Sequence, residues 1–215
     1  MNCFRYKMDH DYGFAPNPFH GIMSLATCKG SQLRLNKNLE LGDWVVGLGS
    51  VSMNNLGRII YAMQVEEKIT FDQYWDDPQY QIKKPVINGT LVQMYGDNVY
   101  HTVDGKVVQE HSAHSKEGGA VNEGHLRRDS GGKYVLLSHR FYYFGDKCPL
   151  IPKHFSYIDN NSRSTKFWDL HGEDSKINAF VEWLDKEYGV GIHGDPCNWK
   201  EFNLPKLDIY EDEKE

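Results

Sequence analysis

Two apolar, β-prone runs constrain this chain more than any other feature. Residues 44–48 read Trp-Val-Val-Gly-Leu, and residues 57–65 read Gly-Arg-Ile-Ile-Tyr-Ala-Met-Gln-Val. The first opens at Gly42-Asp43, and the polar stretch 49–56 separates the two. Two such runs joined by a turn-rich connection predict an antiparallel pair, so the chain must build a sheet. Residues 95–102 and 133–144 read as further strands, and short β-like runs dominate the first 155 residues. The period changes after Thr70. That residue fits an N-cap, with Phe71, Tyr74 and Trp75 on one face of a short helix that Asp77-Pro78 stops. A longer helix is predicted from a Ser175 cap. Its Ile177, Phe180, Val181, Leu184 and Tyr188 fall three and four apart, and Gly189 supplies a left-handed stop. Residues 190–209 are expected to wrap along the surface, and 211–215 to form a solvated tail. The pattern predicts an α+β fold, with residues 1–155 as its core and 156–215 as a C-terminal helix and tail packed on the same domain.

Composition removes several function classes. Aromatic residues make up 13%, which argues against disorder because buried rings offset chain entropy. A net charge of −6 argues against non-specific duplex binding through a basic face, though local basic pockets remain open. The longest apolar runs are about five residues, far short of the ~20 needed to span a bilayer. Arg5, Lys7, Asp9 and Asp11 stand where a signal peptide would be apolar. Cys3, Cys28, Cys148 and Cys197 are widely spaced with no CxxC, so free thiols and a cytoplasmic location are expected.

Four segments carry candidate chemistry. In the loop 11–19, Pro16 and Pro18 stiffen the backbone around Asn17, and Phe14 and Phe19 flank it. It reads as a preformed pocket wall or as a stiff crossover plugging one end of a barrel. At Gly42-Asp43, Asp43 suits a structural turn or a base edge, and Gly47 and Gly49 leave room for a flat ligand to approach the backbone. No phosphate-loop or dinucleotide motif is present, so no cofactor is expected. The long polar stretch 109–132 is the third segment. His101, His111, His114 and His125 crowd in or beside it, with Ser112, Ser115, Asp129, Ser138 and His139 nearby. Histidine suits acid, base or metal-ligand roles. His111 and His114 form an HxxH pair, but no glutamate lies between them and no cysteine accompanies them, so no metal is expected. Arg127-Arg128 and Lys133 flank the stretch as phosphate contacts or as ordinary surface charge. In the fourth segment, 141–144, alternation puts Phe141 and Tyr143 on one face and Tyr142 and Phe144 on the other. One face must be core. The other is core as well, or stacks a base through Tyr143.

Across residues 4–155 these pieces resemble the nucleotide modification associated domain family, second type. The segments that carry the resemblance include Gly13-Phe14-Ala15-Pro16-Asn17-Pro18-Phe19, Leu25-Ala26-Thr27-Cys28-Lys29, Gly42-Asp43-Trp44-Val45-Val46-Gly47, Lys84-Pro85, His114-Ser115 and Phe141-Tyr142-Tyr143-Phe144-Gly145. A weaker similarity of the 42–85 region is to the PUA-like group, including EVE and ASCH domains. It implies a curved, mostly antiparallel sheet or barrel that binds modified bases or RNA in a cleft. The resemblances imply recognition of a nucleotide or modified base, in a pathway of phage or bacterial nucleotide modification or defence, with single-stranded nucleic acid as a further partner class. Phe14, Phe19 and Trp44 would wall the base, and Asp43 and Asn17 would read its edge. His114, His125 and Arg128 would meet sugar or phosphate, beside Ser115. The alternative is a metal-independent hydrolase or transferase, in which His114 is the base, Asp129 orients it and Arg128 stabilises charge. A structural interaction module is the third class. A pocket holding a hydrogen-bonded histidine and carboxylate favours the enzyme, and a deep aromatic slot without them favours the reader.

Overall fold

The computed structural model describes residues 1–28, 39–159 and 168–202. Its largest sheet has six strands: β1 (Asn2–Lys7), β3 (Trp44–Leu48), β4 (Ile59–Gln64), β9 (Phe141–Tyr143), β10 (Trp168–His171) and β11 (Gly191–Ile192). Their order is β10-β1-β3-β4-β9-β11. The β1–β3 and β9–β11 pairs are parallel and the others antiparallel. A second, antiparallel sheet has the order β2-β8-β5, built from β2 (Met23–Leu25), β5 (Glu67–Thr70) and β8 (Tyr134–Ser138). A hairpin of β6 (Tyr100–Val103) and β7 (Lys106–Gln109) stands apart. Both main sheets are open among the described residues, so the fold is α+β with one mixed and one antiparallel sheet, and no closed barrel is seen there.

The expected hairpin forms, with Trp44 opposite Gln64 and Val46 opposite Ala62. Its register shifts at Gly47/Leu48. Gly47 and Gly49 serve packing, not a ligand. A Cβ on Gly47 would lie 2.2 Å from the Tyr61 ring, and one on Gly49 would lie 2.0 Å from the Asn55 carbonyl oxygen. The run 133–144 proves to be two strands in different sheets. The chain turns at 139–140, where the Ser138 hydroxyl donates to the Arg140 carbonyl (2.9 Å) and the His139 N–H donates to the Glu66 carboxylate. The 64–67 segment makes the same crossing from β4 to β5, so the sheets share a corner.

Helix α1 (Phe71–Asp76) starts at Thr70 in a capping box with Gln73 and buries Phe71 and Tyr74, as the pattern predicts. Helix α2 (Leu91–Met94) precedes the shortened strand β6. Residues 95–99 do not extend it, because Asp97 and Asn98 are spent on buried bonds. Asp97 accepts from the Ser24 and Tyr74 hydroxyls, and Asn98 donates to the Tyr74 and Tyr80 carbonyls. The polar stretch 109–132 is no plain loop: it contains helix α3 (Glu123–Ser130), capped by Asn122. Helix α4 (Asp174–Glu187) follows the expected apolar spacing, with Ile177, Phe180, Val181 and Leu184 buried in the main core. Ser175 lies inside its first turn and does not cap it, and Gly189 takes φ +73° beyond its end. Residues 203–209 and the expected tail lie outside the described residues. No helix among the described residues is long and apolar enough to cross a membrane.

Candidate functional site

The end of β1, the N-terminal loop and α3 meet around a cavity of about 510 Å³, with Cys28, just past β2, on its wall. Strand β2 points the chain toward it, and Ala26 and Thr27 bury the exit. Cys28 then turns into the left-handed region, at φ 62°. A non-glycine residue is strained there by about 1–3 kcal/mol, so surrounding bonds must hold it. One is plain: the Cys28 N–H donates to Asp129 Oδ1 at 3.0 Å.

That contact joins β2 to α3 and brings three side chains into line. Cys28 Sγ lies 3.3 Å from His114 Nε2. His114 Nδ1 lies 2.7 Å from Asp129 Oδ2. The buried carboxylate also receives the Tyr100 hydroxyl (2.9 Å) and Arg128 Nε (3.0 Å). Four donors converge on Asp129, which fixes His114 with its Nδ1 proton on the carboxylate and its Nε2 toward sulfur. The backbone around His114 is held as firmly. Buried Gln109 donates to the His114 carbonyl (3.4 Å) and accepts from the Asn122 N–H (2.8 Å). Ser115 donates to the Ser112 carbonyl (2.8 Å), closing the turn beneath the imidazole. Phe14 packs edge-on against the His114 ring, 4.7 Å between centroids.

The electrostatics follow from this wiring. Burial pushes the Cys28 thiol up, but hydrogen bonds from His10 and His114 outweigh it and bring it down to about 6. Burial alone would lower His114. Its bonds to Asp129 and Cys28 overcome that and raise it to about 9. Burial likewise opposes ionisation of Asp129, yet His114 and Arg128 hold its carboxyl below the usual range. This wiring favours a thiolate–imidazolium pair backed by a carboxylate. That is the arrangement of an activated cysteine nucleophile.

Five of the residues named from sequence gather here. Phe14, His114, His125 and Arg128 line the cavity, and Asp129 stands behind His114. Ser115 supports the His114 turn. The other five lie elsewhere. Trp44 is in the main core, stacked on Tyr142, because both faces of β3 are buried. Tyr143 is buried too, its hydroxyl donating to Asp11. Asp43 accepts from the Asn2 and Glu40 backbone, which is the structural-turn role. Asn17 is buried, with its side-chain oxygen on Lys83 and its amide on the Tyr95 carbonyl. Phe19 stacks on Trp199. His101 stacks on Trp75, and His111 abuts Gly119, both away from the cavity. Among the described residues no three metal-ligating side chains are grouped as a site.

Sequence reasoning missed Cys28, His10, Tyr12 and Tyr95, all of which line the cavity. A signal for Cys28 was present, since it lies inside one of the family-like segments. The cysteines were weighed only for disulfides. All four are free thiols in the structure.

Fold and cavity together define a class: an α+β protein with one mixed and one antiparallel sheet and a cysteine–histidine–aspartate group at the edge of a ligand-sized pocket. The chain belongs to the nucleotide modification associated domain 2 family, whose profile matches residues 1–203. The match extends past the 4–155 resemblance to include α4 and the turn 197–202. Neither a curated protein nor a solved structure gives a match.

Proposed function

We propose that this protein is a thiol-dependent transferase or hydrolase acting on a nucleotide, with Cys28 as nucleophile, His114 as its acid–base partner and Asp129 as the group that orients His114. The observation that carries the reading is the 3.3 Å and 2.7 Å relay from Cys28 through His114 to Asp129 at the cavity wall. A binding module has no use for a left-handed cysteine held against a paired imidazole, and such strain marks functional sites. In the proposed step the thiolate forms a bond to an electrophilic carbon of the substrate. The displaced group leaves with the proton that His114 held, and water or a second acceptor then releases the adduct and restores the thiol. Cys28's own N–H is occupied by Asp129, so charge developing on the substrate falls to side chains of the cavity wall. Membership of a nucleotide modification associated family supports a nucleotide as the substrate. A phage-conflict setting is the pathway we attach to it.

The test is conversion and capture. Wild-type protein is incubated with a panel of common and base-modified nucleotides, and both products and acid-quenched protein are read by mass spectrometry. Conversion, or a mass adduct on the Cys28 peptide, is expected in wild type and is lost in Cys28→Ala. Conversion that survives Cys28→Ala contradicts the proposal. Tight binding with neither conversion nor adduct also contradicts it, and makes the protein a reader.

A further inference from the structure

Two side chains on the cavity wall are left over after the thiol relay is assembled. His125 and Arg128 lie three apart on α3 and share one face of it. Arg128 turns its Nε edge to Asp129, and its two terminal amino groups have no partner among the described residues. It is about one-third exposed, so that fork is open to the cavity. The His125 ring makes no hydrogen bond with a described residue, and its Nδ1 is buried unsatisfied. The His114 ring sits 4.2 Å away, centroid to centroid. The groups facing His125 are His114, Arg128 and His10, which oppose its protonation, and Asp129, which favours it. Lys7 also lines the cavity but is committed to Asp159.

We infer that this face of the cavity holds a terminal phosphomonoester through Arg128 and His125, so that the substrate is a mononucleotide. The inference rests on the reading of the cavity as a nucleotide site. A guanidinium fork with two free amino groups matches two phosphate oxygens. The imidazole supplies a second donor beside the guanidinium, next to His114 and Arg128. A phosphomonoester approaches two negative charges near neutral pH, whereas a diester within a strand carries one. Burial, followed by the charges of His114 and Arg128, holds His125 below its ordinary pKa. An anion placed beside it reverses the second effect. The imidazole then takes up a proton when the phosphate binds.

That linkage gives the test. Binding to wild-type protein is measured by titration calorimetry at about pH 7 in two buffers of different ionisation enthalpy, which reports protons taken up per ligand bound. The ligands are inorganic phosphate, deoxynucleoside 5′-monophosphates, the matching nucleosides, and an oligodeoxynucleotide without a terminal phosphate. The monophosphate is expected to bind with proton uptake. The nucleoside is expected to bind at least about 10-fold more weakly with no uptake. His125→Gln abolishes the uptake, and Arg128→Lys weakens the monophosphate by about 10-fold. The inference is overturned by equal binding of nucleoside and monophosphate, by uptake that persists in His125→Gln, by tighter binding of the oligonucleotide, or by no binding of any phosphate. None of these results bears on the reactivity of Cys28. Conversely, an unreactive Cys28 leaves the calorimetry interpretable.

Discussion

Cys3 and Cys28 are the same residue in two regions of one molecule, and their thiols are driven in opposite directions. Cys3 sits in β1, opposite Trp44 and Leu170, in the core of the six-stranded sheet. Burial pushes its thiol up to about 12, and nothing nearby offers enough to offset that. Cys28 follows β2 at the edge of the smaller sheet. Burial opposes ionisation there as well, yet two imidazoles bring it down to about 6. Desolvation works against both, so hydrogen-bonding partners decide the outcome. The main sheet is held by packed rings such as Tyr61 against Gly47 and the Phe155–Phe180–Trp183 cluster over α4. The site is held by polar bonds converging on one carboxylate. The first region gives stability and the second gives reactivity, and each can be broken separately.

The largest effect is expected on the apolar side. Phe180→Ala should lower unfolding free energy by about 3–5 kcal/mol, because a fully buried ring is lost from the core. Urea denaturation measures this. In the fraction that remains folded, Cys28 should react as in wild type and Cys3 should stay protected. Loss of Cys28 reactivity in that folded fraction would mean the two regions are not separable.

Next comes the relay itself. His114→Ala should slow alkylation of Cys28 by about 10-fold at neutral pH, as its pKa moves back toward the ordinary thiol value of about 8.5. The loss of stability should be smaller than for Phe180→Ala. A rate within twofold of wild type would remove His114 from the account.

Asp129→Asn sharpens the comparison through pH. The Asp129 carboxyl is held below its unfolded value, so its contribution to stability is full above about pH 4 and is lost as pH falls through the lower folded value. Wild type should therefore exceed the variant in melting temperature near neutrality, and the gap should close in strong acid. His114 runs the other way. Its pKa is raised to about 9, so its contribution is full below about 6.5 and fades as pH rises through about 9. A gap that does not depend on pH would show that Asp129 acts through packing alone.

His139→Ala is the smallest. His139 is largely exposed at the corner between the sheets, and its side chain lies 3.6 Å from Glu66. Stability should change by no more than about 0.5 kcal/mol, and Cys28 reactivity should not change. This histidine belonged to the sequence-level cluster, so the variant also tests whether proximity in sequence was informative.

The legible parts of the fold were those set by local pattern. Continuous apolar, β-prone runs gave β3 and β4, the Thr70 cap gave α1, and the 3–4 spacing gave α4. What stayed hidden was set by polar contacts over long range. Helix α3 escaped because its inner face carries Arg128 and Asp129 toward a polar site, which leaves no apolar stripe to read. Strand β8 merged with β9 because the turn between them depends on Glu66, more than seventy residues away. The site was half legible. His114, Asp129, Arg128 and Phe14 stood out by residue type. Trp44 and Tyr143 were misplaced because a large ring suits a core as well as a base, and here both faces of their strands are buried. Cys28 lay inside a family-like segment, but its role stayed hidden because its partners lie 86 and 101 positions further on.

The most direct test of the central claim is the rate of iodoacetamide alkylation at Cys28 in native wild-type protein as a function of pH, resolved by site through peptide mass spectrometry. The account predicts a rate that rises through a midpoint near 6 and is flat above it, while Cys3 stays unmodified until the protein unfolds. A Cys28 midpoint at or above about 8.5, as in an unperturbed thiol, would contradict it.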